Sequence, residues 1–134
     1  MHMSATVEVE AAHYEKALVS VQKAIDIYKN IFGPDHYRFA KSKHIYAKAL
    51  MGLGKYKEAL ATLENTIHLI DPKGGLRSFE MNKDLGDCYF KLGKRNYALK
   101  YYNKALSVID KNNPELNIIQ NELLKKISEI KSRI

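Results

Sequence analysis

Three stretches of this chain repeat one another at a nearly constant spacing, and this feature constrains the fold most strongly. They align without gaps at Ala17, Ala59 and Ala98, so the aligned alanines lie 42 and 39 residues apart. A period of this length is typical of solenoid proteins, in which each repeat packs mainly against its neighbours. The chain is therefore predicted to be a short array of structural repeats.

Each repeat has the apolar spacing of a helix. In the first, Leu18, Val21 and Ile25 recur at intervals of three and four, which places them on one helical face. A further apolar helix precedes each of the later two repeats and ends at a glycine, Gly54 or Gly93. Because glycine adopts left-handed backbone angles without steric cost, it often follows a helix C-terminus. Each complete repeat is predicted to be an antiparallel pair of helices.

Linkers that contain proline separate these parts, because proline cannot continue a helix. The predicted fold is all-α, an α-solenoid of antiparallel helix pairs with a C-terminal capping helix, in a single domain. The expected parts are a lead-in at 1–13, the second helix of a partial repeat at 14–35, complete repeats at 36–73 and 76–112, and the capping helix at 114–134.

The third repeat resembles a tetratricopeptide repeat (TPR). The pattern of small and large residues that carries the resemblance consists of Leu85, Gly86, Tyr89, Gly93, Ala98, Tyr102 and Ala105. Gly86 and Ala98 would let two helices approach closely, while Tyr89 and Tyr102 fill the space beside them. The 42-residue spacing and the linker at 32–36 are similar to the longer repeats of kinesin light chains. The resemblance implies a helical scaffold that binds a partner protein or peptide.

Charge is distributed unevenly along the chain. The overall net charge is +7, but residues 1–35 carry −2 and the rest carry +9. This excess is compatible with an acidic partner, with nucleic acid, or with solubility alone. Since the single cysteine, Cys88, has no partner within the chain for a disulfide, a reducing compartment such as the cytoplasm is expected. No apolar stretch is long enough to suggest a membrane span.

No residue pattern points to catalysis or to a cofactor. The five histidines form no metal-ligand spacing, so no metal site is predicted. Cys88 is expected to be a buried small hydrophobic residue rather than a nucleophile. Glu80, Asp84 and Asp87 are expected on solvent-facing sides of their helix. The chain is therefore predicted not to be an enzyme and to bind no cofactor.

The resemblance also implies where a partner would bind. In this family the first helix of each pair lines a concave groove, and a peptide lies along it. Asparagine amides suit such a role because they both donate to and accept from a peptide backbone. The predicted groove residues are Lys41, His44, Lys48 and Met51 in one helix, Lys83, Asp87 and Phe90 in the next, and Asn117, Asn121 and Lys125 in the capping helix.

Three other interpretations remain open at this point. One is a nucleic-acid-binding (RNA) helical repeat, which the basic charge permits. It is disfavoured because acids alternate with bases and Phe90 is the one evident stacking platform in the groove. Another is a structural oligomerisation module of a larger protein, and the last is a solvent-exposed face without a ligand. The partial first repeat also predicts an uncovered apolar strip, Tyr14, Leu18, Val21 and Ile25, and with it a homodimer through this helix.

Overall fold

A computed structural model describes the backbone at residues 2–33, 36–69, 76–109 and 114–132, and the side chains of these residues except 2–12 and Tyr37. Across these four ranges the regular structure is helical and no strand occurs. The chain forms two compact units that divide between Leu69 and Ile70, here called unit 1 and unit 2.

Unit 1 contains three helices: α1 (His2–Phe32), α2 (Tyr37–Gly52) and α3 (Tyr56–Thr66), followed by a 3₁₀ turn at Ile67–Leu69. Helix α2 packs against both α1 and α3. Two sides of α2 therefore carry apolar or small side chains. Burial of such side chains is the main source of stability in a unit of this kind. The buried apolar side chains of unit 1 are those of Ile25, Ala40, Ala47, Ala49, Leu50, Ala59 and Leu63.

The corner between α1 and α2 is held by His36. Its backbone is extended, and its Nδ1 accepts a hydrogen bond from the backbone N–H of Arg38 at 3.1 Å, which caps the start of α2. The His36 ring also stacks on Phe32, with ring centroids 4.4 Å apart. The Arg38 guanidinium lies 5.6 Å from the Phe32 ring centroid. These contacts fix the entry of α2 relative to the end of α1.

The first helix is longer than expected. The lead-in predicted at 1–13 is part of α1, which runs without interruption from His2 to Phe32 rather than beginning at residue 14. At its other end the helix stops at Phe32, before the expected boundary at 35, and Gly33 follows with φ +88°. Residues 2–13 include glutamates and valines but no proline or glycine, so nothing in this stretch would interrupt a helix. The division of the whole chain into one domain with repeats stays a prediction.

Unit 2 contains α4 (Leu76–Lys91), α5 (Arg95–Val108), a 3₁₀ turn at Pro114–Leu116 and α6 (Asn117–Ser132). Helices α4 and α5 form the tightest pair, and α6 packs against α5. Three apolar residues of α6, Leu123, Ile127 and Ile130, are buried along one stripe, as predicted for a capping helix. The other buried apolar side chains of unit 2 are Phe79, Met81, Leu85, Cys88, Tyr89, Ala98, Tyr102, Ala105 and Ile109.

Both turn glycines confirm the predicted ends of the first helices. Gly54 and Gly93 have φ of +78° and +80°, just beyond α2 and α4. After each glycine a lysine N–H bonds back to a helix carbonyl: Lys55 to Leu50 at 2.9 Å and Lys94 to Tyr89 at 2.8 Å. The same closing motif in two repeats satisfies carbonyls that the helix end would otherwise leave unpaired. Of the proline-containing linkers predicted at 71–75 and 111–114, all residues except Pro114 lie outside the described residues.

Candidate functional site

The predicted groove residues of α2 do not all reach the surface. Lys41 and Lys48 are exposed and Met51 is half-buried, but His44 is 0% exposed. The prediction for His44 is therefore wrong. The reason is that His44 shares a face with Ala40 and Ala47, at intervals of four and three, and both alanines are fully buried. A helix packed on two sides buries more than one apolar stripe.

In unit 2 the predicted residues of α4 gather around one carboxylate. Lys83 Nζ lies 3.5 Å from Asp87 Oδ2 on the same helix, and Lys126 Nζ of α6 lies 3.4 Å from Asp87 Oδ1. The hydroxyl of Tyr102, on α5, donates a hydrogen bond to the same Oδ1. Asp87 thus connects three helices, and two cations accompany its single negative charge. Phe90, one turn further along α4, is half-buried.

Two further acids were expected on solvent-facing sides, and the structure corrects this in part. Asp84 is buried, with 7% of its surface exposed, while Glu80 and Asp87 are half-buried. The cause is the same as for His44. Helix α5 packs closely on α4 and covers α4 residues on either side of the apolar stripe of α4. Sequence periodicity identifies the centre of a buried face better than its edges.

Burial and these acids shift two neighbouring groups. Burial, with smaller contributions from the charges of Asp84 and Asp87, raises the pKa of the Cys88 thiol to about 12. Burial and the hydrogen bond to Asp87 likewise raise the pKa of Tyr102 above its ordinary value. The Tyr102 phenol therefore stays protonated and remains a donor to Asp87. Cys88 is a buried thiol, as predicted, and not a nucleophile at neutral pH.

The predicted residues of α6 are all exposed. Asn117, Asn121 and Lys125 follow one another at intervals of four, so they lie along one side of the helix. The cation that reaches Asp87 is their neighbour Lys126, which sequence analysis did not select. The sequence does contain an indication of this role for Lys126. It directly precedes Ile127 of the buried stripe and so flanks the side of α6 that packs within unit 2.

The strip predicted for self-association is covered in part. Ile25 is buried, Leu18 and Val21 are half-buried, and the Tyr14 ring lies against Gly52 of α2. The sequence pattern did not predict that the Tyr14 ring would approach the backbone of α2 at Gly52. Among the described side chains of α1, the most exposed apolar ones lie elsewhere: Val19 at 60%, Ile27 at 54% and Ile31 at 66%. Val19 also lines an open concavity, together with Leu18, Gln22, Lys23, Asp26 and Tyr46.

The described residues contain no group of three His, Cys, Asp or Glu side chains that could hold a metal ion. Within the same part of the chain, no helix combines the length and the apolar character required to cross a bilayer.

Comparison with known proteins identifies the repeat. Residues 84–112 match the family model described as Tetratricopeptide repeat. These residues comprise the second half of α4 and all of α5, the part of unit 2 that contains Asp87 and Tyr102. No curated protein matches the sequence.

Solved structures share the fold. The nearly identical TPR-like repeats of a Podosopora anserina protein assigned as a kinesin light chain align at TM-score 0.74 and 12% identity, and a variant of the same repeats aligns at 0.73 and 13%. Both alignments cover 93% of this chain, which spans only 62% and 61% of those chains. The type III secretion translocator chaperone SycD of Yersinia enterocolitica aligns at TM-score 0.66 and 17% identity, over 97% of this chain and 86% of that one. The predicted all-α solenoid of helix pairs is thereby confirmed.

Proposed function

Because residues 84–112 match the tetratricopeptide-repeat family model and the fold is shared with solved TPR-like repeats, we propose that the chain is a non-catalytic scaffold for a partner protein or peptide. The proposed binding surface is the α4–α6 face of unit 2, defined by Lys83, Asp87 and Phe90 on α4 and by Asn117, Asn121 and Lys125 on α6. The single observation that carries this proposal is the contact of Lys126 with Asp87, which joins the two helices.

The charge at this junction favours an acidic partner. Lys83 and Lys126 share the one carboxylate of Asp87, and Lys125 stands next to Lys126 on an exposed part of α6. Because two lysines share this one carboxylate and a third lies next to them, a carboxylate of a bound peptide would find more than one cation within reach. Such contacts contribute more to association rate and specificity than to affinity, and salt weakens them.

The other side chains of the face suit an extended or helical peptide. Asn117 and Asn121 are exposed amides one helical turn apart, and each can both donate to and accept from a peptide group. Phe90 adds an apolar contact surface next to the charged residues, as in interfaces where an aromatic residue is the anchor. The exposed Lys41 and Lys48 of α2 extend the same cationic character within unit 1.

Binding of a fluorescein-labelled oligoglutamate peptide, followed by fluorescence anisotropy, tests the proposal. An oligolysine peptide is the charge control. We expect the oligoglutamate to bind, to bind less tightly as salt rises from about 50 to 200 mM, and the oligolysine not to bind. The variant Lys83→Glu with Lys125→Glu should lose the binding.

A matched variant separates this surface from net charge. Lys16→Glu with Lys57→Glu changes the same total charge at exposed lysines of α1 and α3, and it should bind the peptide like the wild type. Equal loss in both double variants would show that the peptide senses overall charge and would reject the α4–α6 face. Circular dichroism should show unchanged helical content in all variants.

A further inference from the structure

A second surface of unit 2 combines tyrosine rings with lysines and lies outside the α4–α6 face. On α5, Tyr97, Lys100, Tyr101 and Lys104 follow one another at intervals of three, one and three, which places them on one side of the helix. These four residues are called the tyrosine–lysine surface. Tyr89, at the end of α4, lies beneath them and is buried.

The tyrosine rings form an ordered array. The Tyr89 ring stacks on Tyr97 with centroids 5.1 Å apart and an interplanar angle of 21°. It also stacks on Tyr101, with 5.4 Å between centroids and an angle of 11°. Because Tyr89 is fixed in the core, it holds both outer rings in nearly parallel planes. Tyr97 keeps 53% of its surface exposed, so an aromatic ring of defined orientation is presented to solvent.

Cations are positioned on the same array. The ammonium groups of Lys100 and Lys104 lie 5.6 and 5.1 Å from the centroid of the Tyr101 ring. Cation–π contacts of this kind restrict long side chains that would otherwise sample many rotamers. Helix α5 has three basic residues and no acidic residue. An anion that approaches this surface therefore encounters no acidic side chain of α5.

The composition of the surface indicates its partner. The core of a protein–protein interface is apolar and depleted of charge. By contrast, the exposed side of α5 is polar and basic, and Tyr97 is its one bulky apolar side chain. The other exposed residues of α5 are Arg95, Asn96, Lys100, Asn103, Lys104 and Ser107. Proteins that bind single-stranded nucleic acid combine cations along the phosphate backbone with aromatic rings on which bases stack. We propose that the tyrosine–lysine surface binds single-stranded nucleic acid, with a base on Tyr97 and phosphates at Lys100 and Lys104.

This site is independent of the proposed peptide site, since it uses different residues on a different helix. The sequence disfavours nucleic acid for the groove on two grounds: acids alternate with bases, and Phe90 is the one evident stacking platform. Neither applies to the tyrosine–lysine surface. Its stacked rings come from the contact of α4 with α5, which sequence spacing does not reveal, and α5 has no acidic residue.

The test uses the full chain and a fluorescein-labelled oligouridylate, with binding followed by anisotropy at several salt concentrations. Lys100→Glu with Lys104→Glu should abolish most of the binding and lower the slope of log K against log salt by about 1.4, which corresponds to two lost phosphate contacts. Tyr97→Ala should weaken binding roughly 5- to 150-fold through loss of one stacked base, whereas Tyr97→Phe should bind like the wild type.

Two control variants and a measurement of oligoglutamate binding define the outcomes. Lys57→Glu with Lys131→Glu, the same charge change at exposed positions on α3 and α6, should bind the oligouridylate like the wild type, and so should Lys83→Glu with Lys125→Glu. An absence of wild-type binding, or equal losses in the control variants, would overturn the proposal. So would oligoglutamate binding that Lys100→Glu with Lys104→Glu abolishes and Tyr97→Ala leaves unchanged, because that pattern describes a site for an acidic protein.

Discussion

The ring of Tyr102 lies directly against the backbone of Gly86, so close that a Cβ at position 86 would come within 2.5 Å of Tyr102 Cε1. Helices α4 and α5 can therefore reach their observed distance only because residue 86 has no side chain. The phenol at the far end of the same ring donates its hydrogen bond to Asp87. One residue pair thus determines both the packing of unit 2 and the position of the carboxylate at its candidate binding face.

Gly86→Ala should destabilise the protein. Alanine is better than glycine in a helix by about 1 kcal/mol, but here its methyl would overlap a ring that is only 2% exposed and has no room to move. In a Tyr102→Leu background the overlap is relieved, and the same Gly86→Ala change should become neutral or stabilising. Chemical denaturation of the four proteins measures this coupling.

Gly52 supplies the contrast. A Cβ there would overlap the Tyr14 ring, yet only the outer ring atoms of a partly exposed side chain are involved. Gly52→Ala should therefore cost less than Gly86→Ala, because Tyr14 can swing into solvent. Chemical denaturation of the two single variants compares these costs. Equal costs at the two glycines would contradict the assignment of Tyr102 as the fixed partner.

Gly93 should respond to substitution through its backbone alone. Its φ is +80°, and no heavy atom lies within 4 Å of the place where a Cβ would stand. Gly93→Val should lower the free energy of unfolding by about 1 kcal/mol or more, while Gly93→Asn should cost less because asparagine tolerates left-handed angles. Thermal denaturation ranks the two variants. A valine variant as stable as the asparagine variant would disprove the backbone explanation.

The ends of α2 and α4, at Gly54 and Gly93, could be predicted from sequence because they depend on local chemistry. A glycine after an apolar helix, followed by another apolar helix, leaves few alternatives. The ring of Tyr102 over Gly86 was also predictable, since the small and large residues of the resemblance come as a set. The full length of α1 was not, because no residue near its start marks a helix N-terminus. Nor was the burial of His44 and Asp84, which depends on how closely a neighbouring helix covers the edge of a stripe.

Stability should fall in alkaline solution. The folded protein raises the pKa of Cys88 from 9.0 to about 12, so the folded state holds this proton more tightly than the unfolded state. The resulting stabilisation is fully present below pH 9.0 and is lost as pH rises from there towards 12, with a slope of at most about 1.4 kcal/mol per pH unit. Tyr102, whose pKa is also raised, acts in the same direction above its ordinary value of 10.0.

Denaturation of the wild type and of Cys88→Ala on both sides of pH 9.0 isolates the cysteine contribution. The stability difference between the two proteins should be constant below that pH and should shift against the wild type above it. A difference that stays constant through the alkaline range would mean that the thiol is not buried as described.

Self-association through α1 stays a prediction, but the structure moves it to a different surface. Val19, Ile27 and Ile31 are the most exposed apolar residues among the described side chains of α1, whereas the predicted Leu18 and Val21 are half-buried within unit 1. An exposed apolar strip tends to recruit another surface, and a second copy is the simplest source. Val19→Glu with Ile27→Glu should therefore give a stable monomer, while Leu18→Glu with Val21→Glu should destabilise the fold. Sedimentation velocity that finds the wild type monomeric at high micromolar concentration would refute self-association.

The candidate binding face shows what sequence could not supply. Lys83, Asp87 and Phe90 were predicted as a row because helical spacing determines which residues share a side. That Lys126, rather than Lys125, reaches Asp87 depends on the rotation of α6 about its axis as it packs on α5, which its apolar stripe determines only to within about one residue. The stacked rings of Tyr89, Tyr97 and Tyr101 likewise depend on contacts between helices.

The most direct test of the scaffold is to map where a partner binds. In a titration of ¹⁵N-labelled protein with oligoglutamate, backbone amide shifts should change along α4 and α6, with the largest changes near Lys83, Phe90, Asn121 and Lys125. The amides of α1 and of Tyr97 to Lys104 should stay in place. Shift changes confined to α1 or α5, or none at all at saturating peptide, would contradict the proposal that the α4–α6 face binds a partner.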